Sequence, residues 1–274
     1  MKRKKKKTWI HIILRVTILV LLLVTAGCIS YYTVMLYWQP KEKNEKTAYE
    51  ETHNEKVTAV DPDKISKNLI FSYNSEDKEL EGVVLEILNC DNGNITYLTL
   101  PLNTRFTLSA KLYQKMVLFN PELPQMMKLS ALSEYFNFGQ SAKDALSVVE
   151  GLLSTDINYY TVIPSDMFKA MFQEKSVKQN EGNGSVSKYT FKWDYQKSVT
   201  GLKSEDEIKE YLATNYTNIE SNLKLKDKQS LSKYLVKIKS SNLHFEVLDG
   251  MNLNSGYIID EDNVHQQVIK LSGL

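Results

Sequence analysis

The sequence predicts an α/β fold in which a central mixed β-sheet is flanked by helices and preceded by one transmembrane helix. Three observations carry this expectation. Short runs rich in β-branched and aromatic residues alternate along the chain with segments of helical spacing, as in a sheet with helices packed on its faces. Asp91-Asn92-Gly93-Asn94 is a strong hairpin turn between two such runs, so part of the sheet is antiparallel. Residues 16–38 carry no charged side chain and follow six consecutive basic residues at positions 2–7.

The uncharged run is 23 residues long. At about 1.5 Å rise per residue it crosses a hydrocarbon core of roughly 30 Å with some tilt. The basic cluster holds the N-terminus in the cytoplasm, which places residue 39 and onward outside the cell membrane in a single-pass topology. Tyr31, Tyr32, Tyr37 and Trp38 suit the outer interface, and Arg15 snorkels to the inner headgroups. Two alternatives stay open. Thr25-Ala26-Gly27-Cys28 resembles a lipoprotein box, although it opens on Thr and the apolar run continues past the cysteine. A cleaved signal would have a shorter apolar core of about 7–15 residues. The expected organisation is a cytoplasmic basic tail (1–15), an anchor (16–38), an extracytoplasmic stalk rich in Lys, Glu, Thr and Asn (39–66), and a folded domain (67–274).

Within the domain, residues 69–73 and 82–88 read as strands, the second mostly apolar as if buried on both faces. Residues 95–100 pair with the second strand across the hairpin turn, and Pro101 stops them. Residues 108–137 are helical in pieces, broken near Pro121 and Pro124. The clearest helix follows. Ser141 and Asp144 imitate a capping box, and Ala142, Ala145, Leu146, Val149, Leu152 and Leu153 form one apolar face. Residues 159–163 read as a strand and 166–173 as a short helix. Residues 180–185 read as a flexible loop, and residues 189–193 as an edge strand. Helices over 204–213 and 225–238 and a strand over 244–248 complete the chain, with no internal repeat.

Composition excludes several functions. Seven of the 34 Lys and Arg residues lie in the first 15 positions, so the outer portion has 27 basic against 33 acidic residues. A net charge of −6 argues against binding nucleic acid. Only three arginines occur, Arg3, Arg15 and Arg105, so no multi-arginine phosphate clamp can form. Cys28 and Cys90 lie on opposite sides of the expected membrane boundary and cannot pair; Cys90, beside the turn, reads as a small exposed residue. The four histidines have no metal-ligand spacing. A disulfide-free, Lys-rich outer domain fits a Gram-positive cell envelope.

One segment resembles a known family. Glu81-Gly82-Val83-Val84-Leu85-Glu86-Ile87-Leu88-Asn89 is followed by a strand over 95–100 and by Pro101-Leu102-Asn103-Thr104. Further on come Lys128-Leu129-Ser130, Phe138-Gly139, Val148-Val149-Glu150-Gly151-Leu152-Leu153 and Ile157-Asn158-Tyr159-Tyr160. In order and spacing these resemble the LytR-CpsA-Psr (LCP) family over residues 68–173, with weaker similarity over 214–238. The resemblance implies an α-β-α domain and a membrane-anchored phosphotransferase. Such enzymes move a glycopolymer from a polyprenyl pyrophosphate carrier to peptidoglycan, with an apolar pocket for the lipid, arginines on the pyrophosphate and a carboxylate-held Mg2+.

The departures fall on the chemical positions. Leu102 stands where the family has Arg, Asn103 where it has Asp, and residues 175–214 contain no arginine. Diphosphate cleavage needs positioned cations for the leaving group. Losing one such donor typically costs about 10²–10³ in rate. The remaining candidates implied by the resemblance are Asn103, Arg105 and Lys128 for phosphate, Glu81 for the metal, and Met127, Leu132, Phe136 and Phe138 for the lipid pocket. No residue is assigned a catalytic role. The expected function is a degenerate, lipid-carrier-binding or regulatory protein beside an active paralogue. An active Mg-dependent transferase and a non-enzymatic envelope interaction domain are the alternatives.

Overall fold

The computed structural model describes residues 57–178, 184–217 and 219–273. The expected basic tail, anchor and most of the stalk lie outside the described residues. Among the described residues no helix is long and apolar enough to cross a membrane. Val57–Leu274 forms one compact unit with hydrophobic cores of its own, which is what a domain needs to fold alone. It begins earlier than the sequence suggests: Ala59 is buried and Ile65 already opens the first strand.

A six-stranded mixed sheet organises the unit. Its strands are β1 (Ile65–Asn74), β2 (Glu79–Asn89), β3 (Ile95–Thr99), β6 (Tyr159–Pro164), β9 (Glu220–Ser221) and β10 (Leu243–Val247), in the order β10-β3-β2-β1-β6-β9. β1, β2 and β3 form an antiparallel meander, whereas β6 joins β1 and β10 joins β3 in parallel. Gly93, at φ +72, supplies the left-handed residue of the 91–94 turn.

Because strand side chains alternate, each strand feeds two cores. Leu69 and Phe71, Val83, Leu85 and Ile87, Leu98, and Tyr160 and Val162 point into the first. Ile70, Val84 and Leu88, Ile95 and Tyr97, and Tyr159 and Ile163 point into the second. The first core is covered by α1 (Ala110–Val117), α2 (Leu132–Tyr135), α3 (Lys143–Leu153) and α9 (Glu261–Ser272). The second is covered by α4 (Ser165–Met171), α7 (Leu225–Gln229) and α8 (Ser232–Leu235), with α5 (Trp193–Gly201) and α6 (Glu205–Tyr216) nearby on the same side. The result is the α-β-α layering that the sequence predicts.

Two smaller sheets decorate it. β4 (Thr104–Thr107), β5 (Met126–Lys128), β11 (Met251–Leu253) and β12 (Gly256–Ile258) form a four-stranded sheet. β7 (Phe172–Lys178) and β8 (Ser185–Phe191) form a two-stranded ribbon where the sequence suggested the end of a helix, a loop and an edge strand over 189–193. The ribbon is seated on the main sheet by Phe172 and Phe191, which pack on Tyr97. The Tyr189 N–H also donates to Thr99 Oγ1 (2.9 Å).

Cap chemistry differs from expectation at α3. α3 starts one residue later than a Ser141 cap would require. Its N-cap is Ala142, whose N–H donates to Glu220 Oε1 (3.1 Å). The full capping box is at α6, where Ser204 and Glu207 satisfy each other's backbone. The 225–238 helix is two short pieces, α7 and α8. Cys90 is buried rather than exposed, and burial pushes its thiol up to about 11.

Candidate functional site

Two concave regions lie near the resemblance motifs. The first is a polar cleft of about 340 Å³ at the C-terminal end of β3. Glu81 and the Pro101-Leu102-Asn103 turn form one side, and Glu174, Ser185, Ser187 and Tyr189 of the ribbon form the other. The turn is closed by Thr104, whose N–H (2.9 Å) and hydroxyl (2.6 Å) both donate to the Pro101 carbonyl.

The carboxylate of Glu81 has three partners. Lys169 Nζ lies 2.6 Å from Oε2, which also accepts from the Ser165 hydroxyl, and Asn74 Nδ2 donates to Oε1 at 3.1 Å. Lys169 and Ser165 together hold its pKa below the ordinary glutamate value. Glu174 accepts from the Ser187 hydroxyl. Asn103 donates to Asn252 Oδ1 (3.3 Å). No lysine or arginine is among the described residues lining this cleft.

The second region is an apolar cavity of about 140 Å³ in the other core, between the main sheet and α4–α8. Its walls are mostly Ile, Leu, Val and Met, including Ile70, Ile163, Met167, Met171, Ile208 and Leu212. Its floor is crossed by a polar rung. Tyr159, Asn68, Glu86 and Tyr97 stand directly opposite one another on β6, β1, β2 and β3. The Tyr97 hydroxyl donates to Glu86 Oε2 (3.0 Å), and Asn68 Nδ2 donates to Oε1 (3.4 Å). Lys228 of α7 reaches down to complete it, 3.4 Å from Glu86 Oε1 and 2.7 Å from the Tyr159 hydroxyl.

Lys228 is only 8% exposed. Burial alone would lower its pKa, but the Glu86 carboxylate and the tyrosine hydroxyls outweigh burial and hold it above the ordinary lysine value. Burial pushes Tyr159 up to about 12 and Tyr97 well above the ordinary tyrosine value.

Between cleft and cavity stands an aromatic partition. The Phe168 ring stacks on Phe172 (4.6 Å) and meets Tyr189 edge-on (4.9 Å). It also lies over Gly82, where an added Cβ would come within 2.8 Å of it. The Tyr189 hydroxyl donates to the Glu81 carbonyl (3.0 Å), which ties the partition to the cleft wall.

No family model and no curated protein matches the sequence. Solved structures do match its fold. The crystal structure of TagV from B. subtilis, an LCP protein, aligns with a TM-score of 0.52 at 13% identity, covering 78% of this chain and 99% of that one. This chain has the LytR-CpsA-Psr fold. Protein gbs0355 from Streptococcus agalactiae aligns with a TM-score of 0.50 at 14% identity over 76% of this chain and 88% of that one. At such identities the likeness speaks for the LCP fold alone.

The sequence-derived site residues separate on this LCP framework. Glu81 and Asn103 line the cleft together. Arg105 and Lys128 do not. They face each other across the β4–β5 pair, and the Arg105 guanidinium donates to Met126 Sδ (3.3 Å). Leu102, at the family's arginine position, lines the cleft and packs against the first core.

The lipid-pocket candidates lie apart from the apolar cavity. Met127, Leu132, Phe136 and Phe138 are buried in the first core, on the face of the sheet opposite the cavity. Phe138 is locked edge-on to Phe71 (5.0 Å) and stacked on Tyr73 (5.5 Å). Glu81, the candidate metal ligand, already bonds Lys169, Ser165 and Asn74. No cluster of three His, Cys, Asp or Glu side chains that could hold a metal occurs among the described residues.

Sequence reading missed Glu86 and Lys228. Glu86 had a signal, as the only charge within the otherwise apolar run 82–88 of β2. Lys228 had none, since its partner lies 142 residues away.

Proposed function

We propose that this is a membrane-anchored, extracytoplasmic cell-envelope protein that holds an apolar chain of the lipid-carrier type and does not transfer glycopolymer. The LCP fold supports the link to glycopolymer attachment. Electrostatics supports the absence of transfer. The cleft at the family's phosphate position is lined by two carboxylates and, among the described residues, by no cation. Lys169, 2.6 Å from Glu81, is taken up by that carboxylate, so a diphosphate placed there would meet the charge of Glu174 and find no unpaired cation in the lining to neutralise its leaving group.

The cleft lining is the observation that carries the reading. The aromatic partition agrees with it, since a carrier whose tail lay in the cavity could not reach the cleft without displacing Phe168. In this reading an active paralogue performs the transfer while this chain binds or regulates carrier.

The test has two arms. Residues 57–274 are incubated with polyprenyl pyrophosphate-linked glycan and Mg2+, and the full chain is purified from membranes and its lipid extract analysed by mass spectrometry. The reading expects no phosphate release and a co-purified isoprenoid. Turnover would establish an active transferase instead. Neither turnover nor lipid would favour an interaction domain.

A further inference from the structure

We infer that the cavity is specific for an apolar molecule ending in one uncharged hydroxyl, held between Glu86 and Lys228. This deepens the reading above, on which it rests, by naming the chemical class that the cavity takes.

The argument starts from an anomaly. A charged pair deep in an apolar cavity wall is costly, and apolar side chains of similar volume commonly serve stability as well or better. The surrounding strand offers such residues at every other inward position: Val84 and Leu88 flank Glu86 on the same face.

Counting hydrogen-bond capacity shows what the pair presents. A lysine ammonium has three donors, and Lys228 uses two, on Glu86 and Tyr159, among the described residues. An ionised carboxylate has about four acceptor positions. Glu86 uses three, for Asn68, Lys228 and Tyr97. One donor and one acceptor remain, and both residues line the cavity.

A hydroxyl matches that pair. Its oxygen accepts from Lys228 and its proton goes to Glu86. A carboxylate or phosphate does not match, because Glu86 sits 3.4 Å from the ammonium and cancels its charge. An amine meets the reverse conflict. A pure hydrocarbon leaves the spare donor and acceptor unpaired, which is unfavourable in a dry site.

The cavity's size sets the chain. Its volume of about 140 Å³ is below the roughly 300–1,000 Å³ of pockets for drug-sized ligands. A short chain therefore fits, and the unbranched Met167 and Met171 in its wall can adapt to a longer one.

The test is calorimetric titration of residues 57–274 with four ten-carbon probes: geraniol, geranic acid, geranyl phosphate and the hydrocarbon myrcene. Geraniol should bind at least about tenfold tighter than any of the others, the ratio expected for hydrogen bonds made without net charge. In the E86L/K228M double variant geraniol should lose about tenfold and myrcene should lose nothing. Equal binding of geraniol and myrcene to the unmodified protein would overturn the inference while leaving a chain-binding cavity intact. Tighter binding of the phosphate would overturn it as well. Binding of none of the four would overturn both the inference and the reading beneath it. The comparison among probes uses the unmodified protein, so it stands even where the double variant does not fold.

Discussion

Replacing Lys228 with Met tests whether the polar rung is a buried ion pair. Lys228 is 8% exposed and its side chain has one ionic partner, Glu86, whose own side chain is 17% exposed. Met fills similar volume, so packing changes little. What remains is a carboxylate whose cation is gone and whose other bonds come from Asn68 and Tyr97. Breaking a buried pair from one side costs about 3–5 kcal/mol. For a domain of this size, at about 2–4 °C per kcal/mol, Tm should fall by roughly 6–20 °C. Changing both members, E86L/K228M, removes the stranded charge but takes the acceptor from the buried Tyr97 and Asn68 donors, so it should recover only part of the loss. Urea unfolding of residues 57–274 followed by circular dichroism gives all three numbers. A Lys228→Met cost below about 1 kcal/mol would refute the reasoning, because it would show an ammonium still solvated. A double variant as weak as the single one would refute it too.

Four further outcomes follow from the same geometry. Tyr97, Tyr159 and Lys228 all have pKa values raised in the folded state, so their contribution is complete below about pH 10 and is lost as pH rises through the folded values; urea midpoints should fall from about pH 10 upward, and less steeply in Tyr159→Phe. Gly82→Ala drives a Cβ to within 2.8 Å of the buried Phe168 ring and should cost about 1–3 kcal/mol in the same unfolding assay. Phe138→Ala should cost about 3–5 kcal/mol yet leave geraniol titrations of the folded protein unchanged, since Phe138 belongs to the core away from the cavity. Ser204→Ala removes the α6 capping box and should cost about 1 kcal/mol by chemical denaturation.

The strands of the main sheet were legible because each carries its own signal. Apolar, β-rich runs mark β1 and β2, and the 91–94 turn fixes the pairing of β2 with β3. The ribbon β7–β8 was legible only in its second half, read as an edge strand over 189–193. The middle of β7 is exposed and polar, so it lacks the alternation that marks a half-buried strand. Phe172, Tyr189 and Phe191 tie the ribbon to the sheet, and those contacts are tertiary. The site was half legible. Motif spacing brought Glu81 and Asn103 to one cleft, because both flank the same end of the β2–β3 pair. Arg105 and Lys128 lie further along the chain, in a separate sheet. The apolar residues over 127–138 were read as candidates for a lipid pocket, but hydrophobicity does not say which face of a sheet a segment will cover. That choice decides between core and cavity here, and it is made by the path of α3 and α9 over one face and α4–α8 over the other.

On the proposed function, the cleft beside Glu81 and Asn103 does not hold a diphosphate. Titrating residues 57–274 with inorganic pyrophosphate, with and without Mg2+, tests it most directly. The account predicts no saturable binding up to about 1 mM, a free energy weaker than about −4 kcal/mol. Mg-dependent binding in the micromolar range that disappears in Glu81→Ala would contradict it.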